Sequence, residues 1–282
     1  MQKPVELYTD VFNHTNTQEE KLILELGKDH FACLVKNKET DAVEALELFE
    51  LEDVNFDWND TFYEVRSHSR ILGRTYGQTH VFMNLEEAMI LPASKMSTQA
   101  AEDYLSALYG DQGAHTIRFD KLNTEENIVN VYRIPNNIID LISRNFLLVT
   151  SQHTYTCILD EIAAKTHQHL SNFVSIQFYK SNMILSVLKN HKLQLIQSFP
   201  MNSEGDILYH LMNCCKQLDI SLKTVQVEIS GHFHTKDTLM EQLKKVVAKI
   251  TLEAVASEGV FLLSDAQKHP LHFYAPYYKL SV

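Results

Sequence analysis

Three short apolar runs followed by a helical pattern occur twice in this chain, and this repeat restricts its fold more than any other feature. The first copy is Leu22–Leu26, Phe31–Val35 and Val43–Phe49, and the second is Phe173–Tyr179, Met183–Leu188 and Leu193–Phe199. Runs this short, bounded by polar residues, have the length of strands rather than helices. Gly27 and Asn37 fall between runs of the first copy, where tight strand connections need residues tolerant of unusual backbone angles. Each copy therefore predicts a three-strand meander. A chain that makes the same meander twice predicts two related lobes, residues 1–150 and 151–282, facing a cleft.

After each meander, helical and strand patterns alternate. In the first half, Gln2 to Glu19 reads as a lead-in strand or arm. Asp57-Trp58-Asn59-Asp60 opens a helix through Phe62, Val65 and Ser69, broken at Gly73 and Gly77. Strands at Thr79–Asn84 and Ala88–Leu91 precede a helix through Ala101, Leu105 and Leu108 that Gly110 and Gly113 end. Strands at Thr116–Phe119 and Ile128–Tyr132 follow, then a helix started by Pro135, where the missing N–H costs nothing. Leu147–Thr150 reads as a short strand, and Tyr155, Ile158, Leu159 and Ile162 as a helix running to His169. In the second half, Ser203 and Asp206 make a capping-box start for a stripe of Ile207, Leu208, Leu211, Met212, Cys215 and Leu218. Val225–Ile229 is a strand with Ser230-Gly231 as its turn. Thr235 caps a helix that turns Leu239, Leu243, Val246, Val247 and Ile250 inward. The aromatic tail His272–Tyr278 packs back onto a lobe, a partner-binding motif being the alternative. The pattern predicts an α/β protein of α+β character, with helices on the faces of mixed sheets.

Charge excludes one large class of function. The formal net charge is −11, and it is uneven: residues 1–150 hold 25 acids and 13 basic residues (−12), residues 151–282 hold 11 and 12 (+1). Nucleic-acid binding needs a basic stripe against phosphate, which this balance does not supply. The acids crowd between Glu39 and Glu64, read either as a solvated edge or as a docking face for a basic partner. No apolar run reaches the roughly 20 residues of a transmembrane helix, and the start has no signal-peptide core, so a cytoplasmic location is expected. Cys33, Cys157, Cys214 and Cys215 form no CxxC pair and read as buried small hydrophobes.

Chemistry-bearing motifs are sparse. The chain has no GxSxG elbow, no HExxH pair and no Walker GxxxxGK[ST] loop. His167-x-His169 and His232-x-His234 lack a cysteine or carboxylate at a ligand spacing and read as surface or capping residues. Arg66, His68, Arg70 and Arg74 form a basic run, either a solvated helix face or an anion-binding patch. Trp58 reads as a packing residue, with an interface anchor as the alternative.

Leu22-Ile23-Leu24-Glu25-Leu26-Gly27, Val174-Ser175-Ile176-Gln177-Phe178-Tyr179 and Val227-Glu228-Ile229-Ser230-Gly231, in this order and spacing, resemble the phosphate and adenosine stretches of the actin-like ATPase superfamily, which shares the ribonuclease-H-like fold. More closely, the chain resembles a family of uncharacterised Bacteroidota proteins with an actin-like fold. The resemblance covers the chain from about Lys21 onward. It implies a duplicated two-lobed fold, and ATP with Mg²⁺ as the ligand of active members. In those members an apolar-Asp-x-Gly strand organises the metal–water shell, a second Asp-x-Gly serves the other lobe, and a Gly-Gly pair serves adenosine. Here Glu25 replaces the first acid and Gly27 is kept. Gln177-Phe178-Tyr179 keeps neither acid nor glycine, and Ser230-Gly231 keeps one glycine of two. Mg²⁺ tolerates little change of geometry, and phosphate loops need unobstructed backbone N–H groups.

The resemblance thus makes Glu25, Gly27, Gln177, Ser230 and Gly231 candidates for lining a degenerate nucleotide cleft, with no catalytic or metal residue assigned. Two functions stay open. One is a non-catalytic pseudo-ATPase scaffold that binds a protein partner, by analogy with actin-like components of pilus assembly and secretion. The other is a nucleotide-binding protein or ATPase with atypical phosphate loops.

Overall fold

A computed structural model describes residues 1–14, 19–52, 57–111, 113–123, 127–165, 171–233, 238–256 and 258–282. His167, His169, His234 and Thr235 lie outside the described residues. The chain divides into two compact units. The first holds Met1–Leu159, Ala256–Lys268 and Lys279–Val282, and the second holds Asp160–Val255 and His269–Tyr278.

The first unit contains β1 (Gln2–Tyr8), α1 (Asp10–His14), β2 (Glu20–Gly27), β3 (His30–Asn37), β4 (Val43–Glu50), α2 (Trp58–His68), β5 (Thr79–Asn84), β6 (Ala88–Pro92), α3 (Thr98–Tyr109), β7 (His115–Lys121), β8 (Ile128–Pro135), α4 (Asn136–Asn145), β9 (Val149–His153) and the start of α5 (Thr154–Ala164). Its main sheet has the order β1-β4-β3-β2-β5-β9. The meander β2–β3–β4 is antiparallel, whereas β5 and β9 join β2 in parallel. Its turns follow local chemistry. Lys28 and Asp29 alone join β2 to β3, while the Asn37 side chain accepts the N–H groups of Glu39 and Thr40 at 2.8 and 3.1 Å. The parallel step from the meander to β5 runs through α2, whose first turn is capped by the Asp57 carboxylate. A smaller sheet, β6-β8-β7, packs Leu91, Val129 and Val131 against Ala101 and Leu105 of α3.

The second unit contains the rest of α5, then β10 (Phe173–Phe178), β11 (Asn182–Lys189), β12 (Lys192–Pro200), α6 (Glu204–Gln217), β13 (Gln226–Gly231), α7 (Thr238–Val246), β14 (Lys249–Leu252) and most of α8 (Leu271–Lys279). Its sheet order is β12-β11-β10-β13-β14. Strand for strand, this reproduces the order and pairing senses of β4-β3-β2-β5-β9. Ser203 and Asp206 form the expected capping box on α6. Ile207 and Leu211 of α6 and Leu243 of α7 bury against Val174, Ile176, Val227 and Ile229.

Several local expectations change. Ser230 and Gly231 are the last residues of β13 rather than a turn. Ile250 sits on β14, a strand held by parallel pairing to β13 and so without a local signature. The strand expected from Leu147 begins at Val149, because Leu148 takes a left-handed φ of 44° and both leucines face solvent. Met212 lies outside its helix's apolar stripe and is 46% exposed. Within the acidic stretch, Glu44 and Glu47 are buried, and Glu47 binds Lys3, Tyr8 and Ser69. The aromatic tail forms α8, and Tyr274 and Tyr277 are buried. Among the described residues no helix is long and apolar enough to cross a membrane.

Candidate functional site

In the first unit the site lies where β2 turns into β3. Because only two residues separate these strands, Gly27 and His30 continue the register of Leu26 opposite Phe31, and both share the sheet face of Glu25. Glu25 is fully buried. One of its carboxylate oxygens accepts from Asn84 Nδ2 at 3.1 Å and Thr154 Oγ1 at 3.0 Å. The other lies 3.1 Å from His30 Nε2, and the opposite ring nitrogen, Nδ1, lies 2.8 Å from Asp29 Oδ1. Asn84 ends β5 in register with Gly27, and Thr154 starts α5, so three elements converge on one carboxylate.

Burial alone would make the His30 ring neutral. The charge of Glu25 and the hydrogen bonds that the ring donates to both acids outweigh burial, and its pKa rises to about 9. The ring rests on the open face of Gly27. A Cβ placed there would lie 2.9 Å from Nε2 and nearer still to Nδ1 and Cε1.

In the second unit, Gln177 on β10 pairs in register with Ser230 on β13, and Phe178 with Gly231. Gln177 is buried, and its Nε2 donates to the Tyr179 hydroxyl at 2.6 Å. Tyr179 follows Gln177 by two residues, as Gly27 follows Glu25, so an aromatic ring stands where the first unit has no side chain. Tyr179 meets Tyr277 of α8 edge to face, at 6.5 Å between ring centres, and the Tyr277 hydroxyl lies 3.1 Å from His232 Nε2. His232 stacks on Phe273 of the same helix. Gly231 takes a φ of 86°, and a Cβ there would lie 2.9 Å from the Phe178 carbonyl carbon and nearer to its oxygen. Ser230 is buried beside it, and its hydroxyl has no hydrogen-bond partner.

These residues do not fit a magnesium–phosphate group. A metal–water shell needs carboxylate oxygen free to accept from ordered water, whereas both Glu25 oxygens are engaged by the chain's own donors. A phosphate cradle needs a glycine with open space before it. The face of Gly27 is covered by His30, and Gly231 is pressed against β10. Among the described residues no group of three or more His, Cys, Asp or Glu is placed to hold a metal ion.

The remaining candidates resolve into structural contacts. Arg70 lies over the Tyr8 ring and donates to Asn13. Arg74 pairs with buried Glu20 at 3.1 Å and donates to the Phe12 carbonyl, so these two arginines tie down the N-terminal segment, while Arg66 donates to Asn145. Trp58 is the half-buried first residue of α2. Cys33, Cys214 and Cys215 are buried, while Cys157 is partly exposed. His30, Asn84 and Thr154 were missed from sequence. A two-residue turn after Gly27 is a sufficient signal for His30. Asn84 and Thr154, 59 and 129 residues from Glu25, have none.

Three histidines of this unit, His30 and His153 buried and His80 half-buried, set a pH profile. His153 donates from Nε2 to the Leu85 carbonyl and accepts the Tyr155 N–H at Nδ1, and burial lowers its pKa to about 3. Burial, then the Lys21 charge, lowers that of His80 to about 4. These two contribute stability above the unfolded value of 6.5 that is lost as pH falls. His30 contributes stability below 6.5 that is lost as pH rises through about 9. The first unit is therefore expected to be most stable near pH 6.5, measured as the urea midpoint across pH 4 to 9.5. His30→Gln should flatten the alkaline limb only, and an unchanged limb would contradict the assignment.

Solved structures share this architecture, among them the following two. A Bacteroides thetaiotaomicron VPI-5482 protein with actin-like ATPase fold and unknown function is 16% identical, covers 93% of this chain and 99% of its own, and superposes with a TM-score of 0.76. The PilM–PilN type IV pilus biogenesis complex is 12% identical, covering 94% of this chain and 97% of that one, with a TM-score of 0.59. The fold is thus the mixed α/β fold of the actin-like ATPases. Residues 9–250 match the family described as protein of unknown function (DUF3822), and the chain belongs to that family. No curated protein matches the chain.

Proposed function

We propose that this chain is a non-catalytic actin-fold scaffold, a pseudo-ATPase, that works in the cytoplasm by binding a protein partner. Its two lobes, residues 1–150 and 151–282, arose by duplication, a reading supported by the common strand order of the two five-strand sets. The observation that favours loss of ATP chemistry most is the Glu25 carboxylate, whose oxygens are both taken by internal donors while His30 covers Gly27. The aromatic cover on Tyr179 from α8 points the same way in the second unit. A partner-binding role is supported by likeness to a chain of the PilM–PilN complex, which is an argument from fold.

The test is a thermal-shift series with ATP and GTP, each with and without Mg²⁺. A ligand at 100 times its dissociation constant adds about 2.7 kcal/mol, a clear rise in Tm. No rise at millimolar nucleotide is expected. A saturable rise would replace this proposal with the second reading, a nucleotide-binding protein or ATPase with atypical loops. The feature in its favour is the buried, unpartnered Ser230 hydroxyl. For the partner, charge reversal at exposed Glu39, Asp60 and Glu64 should change the proteins recovered from native cells. An identical set would remove the acidic face from the proposal.

A further inference from the structure

We infer that Glu25, Asp29 and Gly27 form a cation site shaped to a planar imidazole ring, and that the chain fills this site with its own His30. The inference deepens the scaffold reading above: it names what occupies the first lobe's phosphate position. Three observations carry it. The two carboxylates meet opposite nitrogens of the ring, at 3.1 and 2.8 Å, so the pair clamps a flat donor at both ends. The ring's face lies on a residue with no side chain, and any Cβ there would enter the ring's volume. Glu25 is oriented for this partner by Asn84 and Thr154, which hold its other oxygen and carry no charge. Glu50 stands opposite His30 on β4, and Lys28 is exposed at the turn. A carboxylate at each ring nitrogen makes the site favour a cation.

The arrangement differs from an ordinary buried ion pair in one respect. A lone Glu–His pair needs neither a second carboxylate on the far nitrogen nor an empty glycine face. Here all three features coincide within six residues, Glu25 to His30, and the hairpin geometry brings them to one point. Removing the ring should leave a cavity with the shape and charge of imidazolium, able to take a free planar cation of that size.

The experiment uses full-length His30→Gly and free imidazole as the probe, near pH 6.5. The variant should melt below wild type. Imidazole should raise its Tm saturably, by about 2–4 °C for each kcal/mol of binding recovered, while wild type stays flat because its site is filled. A folded His30→Gly chain that responds no more than wild type would overturn the inference. If the variant does not fold, nitrogen NMR of the wild-type ring keeps the question open to test. Both ring nitrogens protonated at pH 7 support the clamp, and a neutral ring overturns it. Mg²⁺–ATP is added to wild type as a separate arm. A shift there would sink the scaffold proposal while leaving imidazole rescue free to succeed, so the two failures are distinguishable.

Discussion

Gly231→Ala is expected to destabilise the second unit by about 3 kcal/mol or more. Two costs add at this position. The φ of 86° is one that residues bearing a Cβ rarely adopt, and the added methyl would meet the backbone of Phe178 on the adjacent strand. A backbone cannot step aside as a side-chain tip can, because Phe178 and Gly231 are register partners that close the parallel pairing of two interior strands. Relief would require β13 to pull away from β10, loosening the core between Ile176 and Ile229. Urea unfolding measures the loss. Gly77→Ala is the control: nothing lies within 4 Å of its added methyl and its φ is ordinary, so it should stay within about 0.5 kcal/mol of wild type. If both variants unfold alike, the close approach of β13 to β10 is wrong.

Gly27→Ala is expected to cost about 3 kcal/mol, for a different reason. Gly27 does not have a left-handed φ, so alanine suits its backbone. The whole cost falls on the His30 ring, which must leave the space the methyl enters. When it leaves, Glu25 and Asp29 lose the cation between them, and breaking a buried ion pair costs more than the pair contributes. The double variant Gly27→Ala/His30→Gly isolates this mechanism. With the ring gone, adding the methyl should cost almost nothing, so the coupling in a double-mutant cycle should approach the whole single-variant cost, about 3 kcal/mol. Additive single effects would mean that the ring and the glycine do not share the space.

The two glycines also separate what patterning reveals from what it hides. Both stand in stretches that resemble nucleotide loops, and both are kept for reasons internal to the fold. Gly27 accommodates an imidazole three residues on, a relation visible from strand alternation once the turn is counted as two residues. Gly231 accommodates Phe178, a residue 53 positions earlier by numbering, through a parallel pairing that no local signal encodes. The same division runs through the elements. The two meanders, the Asp57 and Ser203 caps and the strand Thr79–Asn84 were legible because alternation, capping and turn chemistry act within a few residues. β14 and the left-handed turn at Leu148 were not, since parallel pairing and tertiary context override weak local preference there.

Local physics in the chain therefore sets the strands, the caps and the absence of an acid and glycine at Gln177 and Tyr179. Whether Glu25 remains available to a ligand is a non-local matter. It depends on Asn84 and Thr154 arriving from β5 and α5 to engage one oxygen of a carboxylate 59 and 129 residues away. A hydrogen bond forms between whatever groups folding brings within about 3 Å, and sequence separation leaves no trace of that meeting. The repeated meander announced two related strand sets, and side-chain packing within each unit surrounded Glu25 and Gln177 with the protein's own residues.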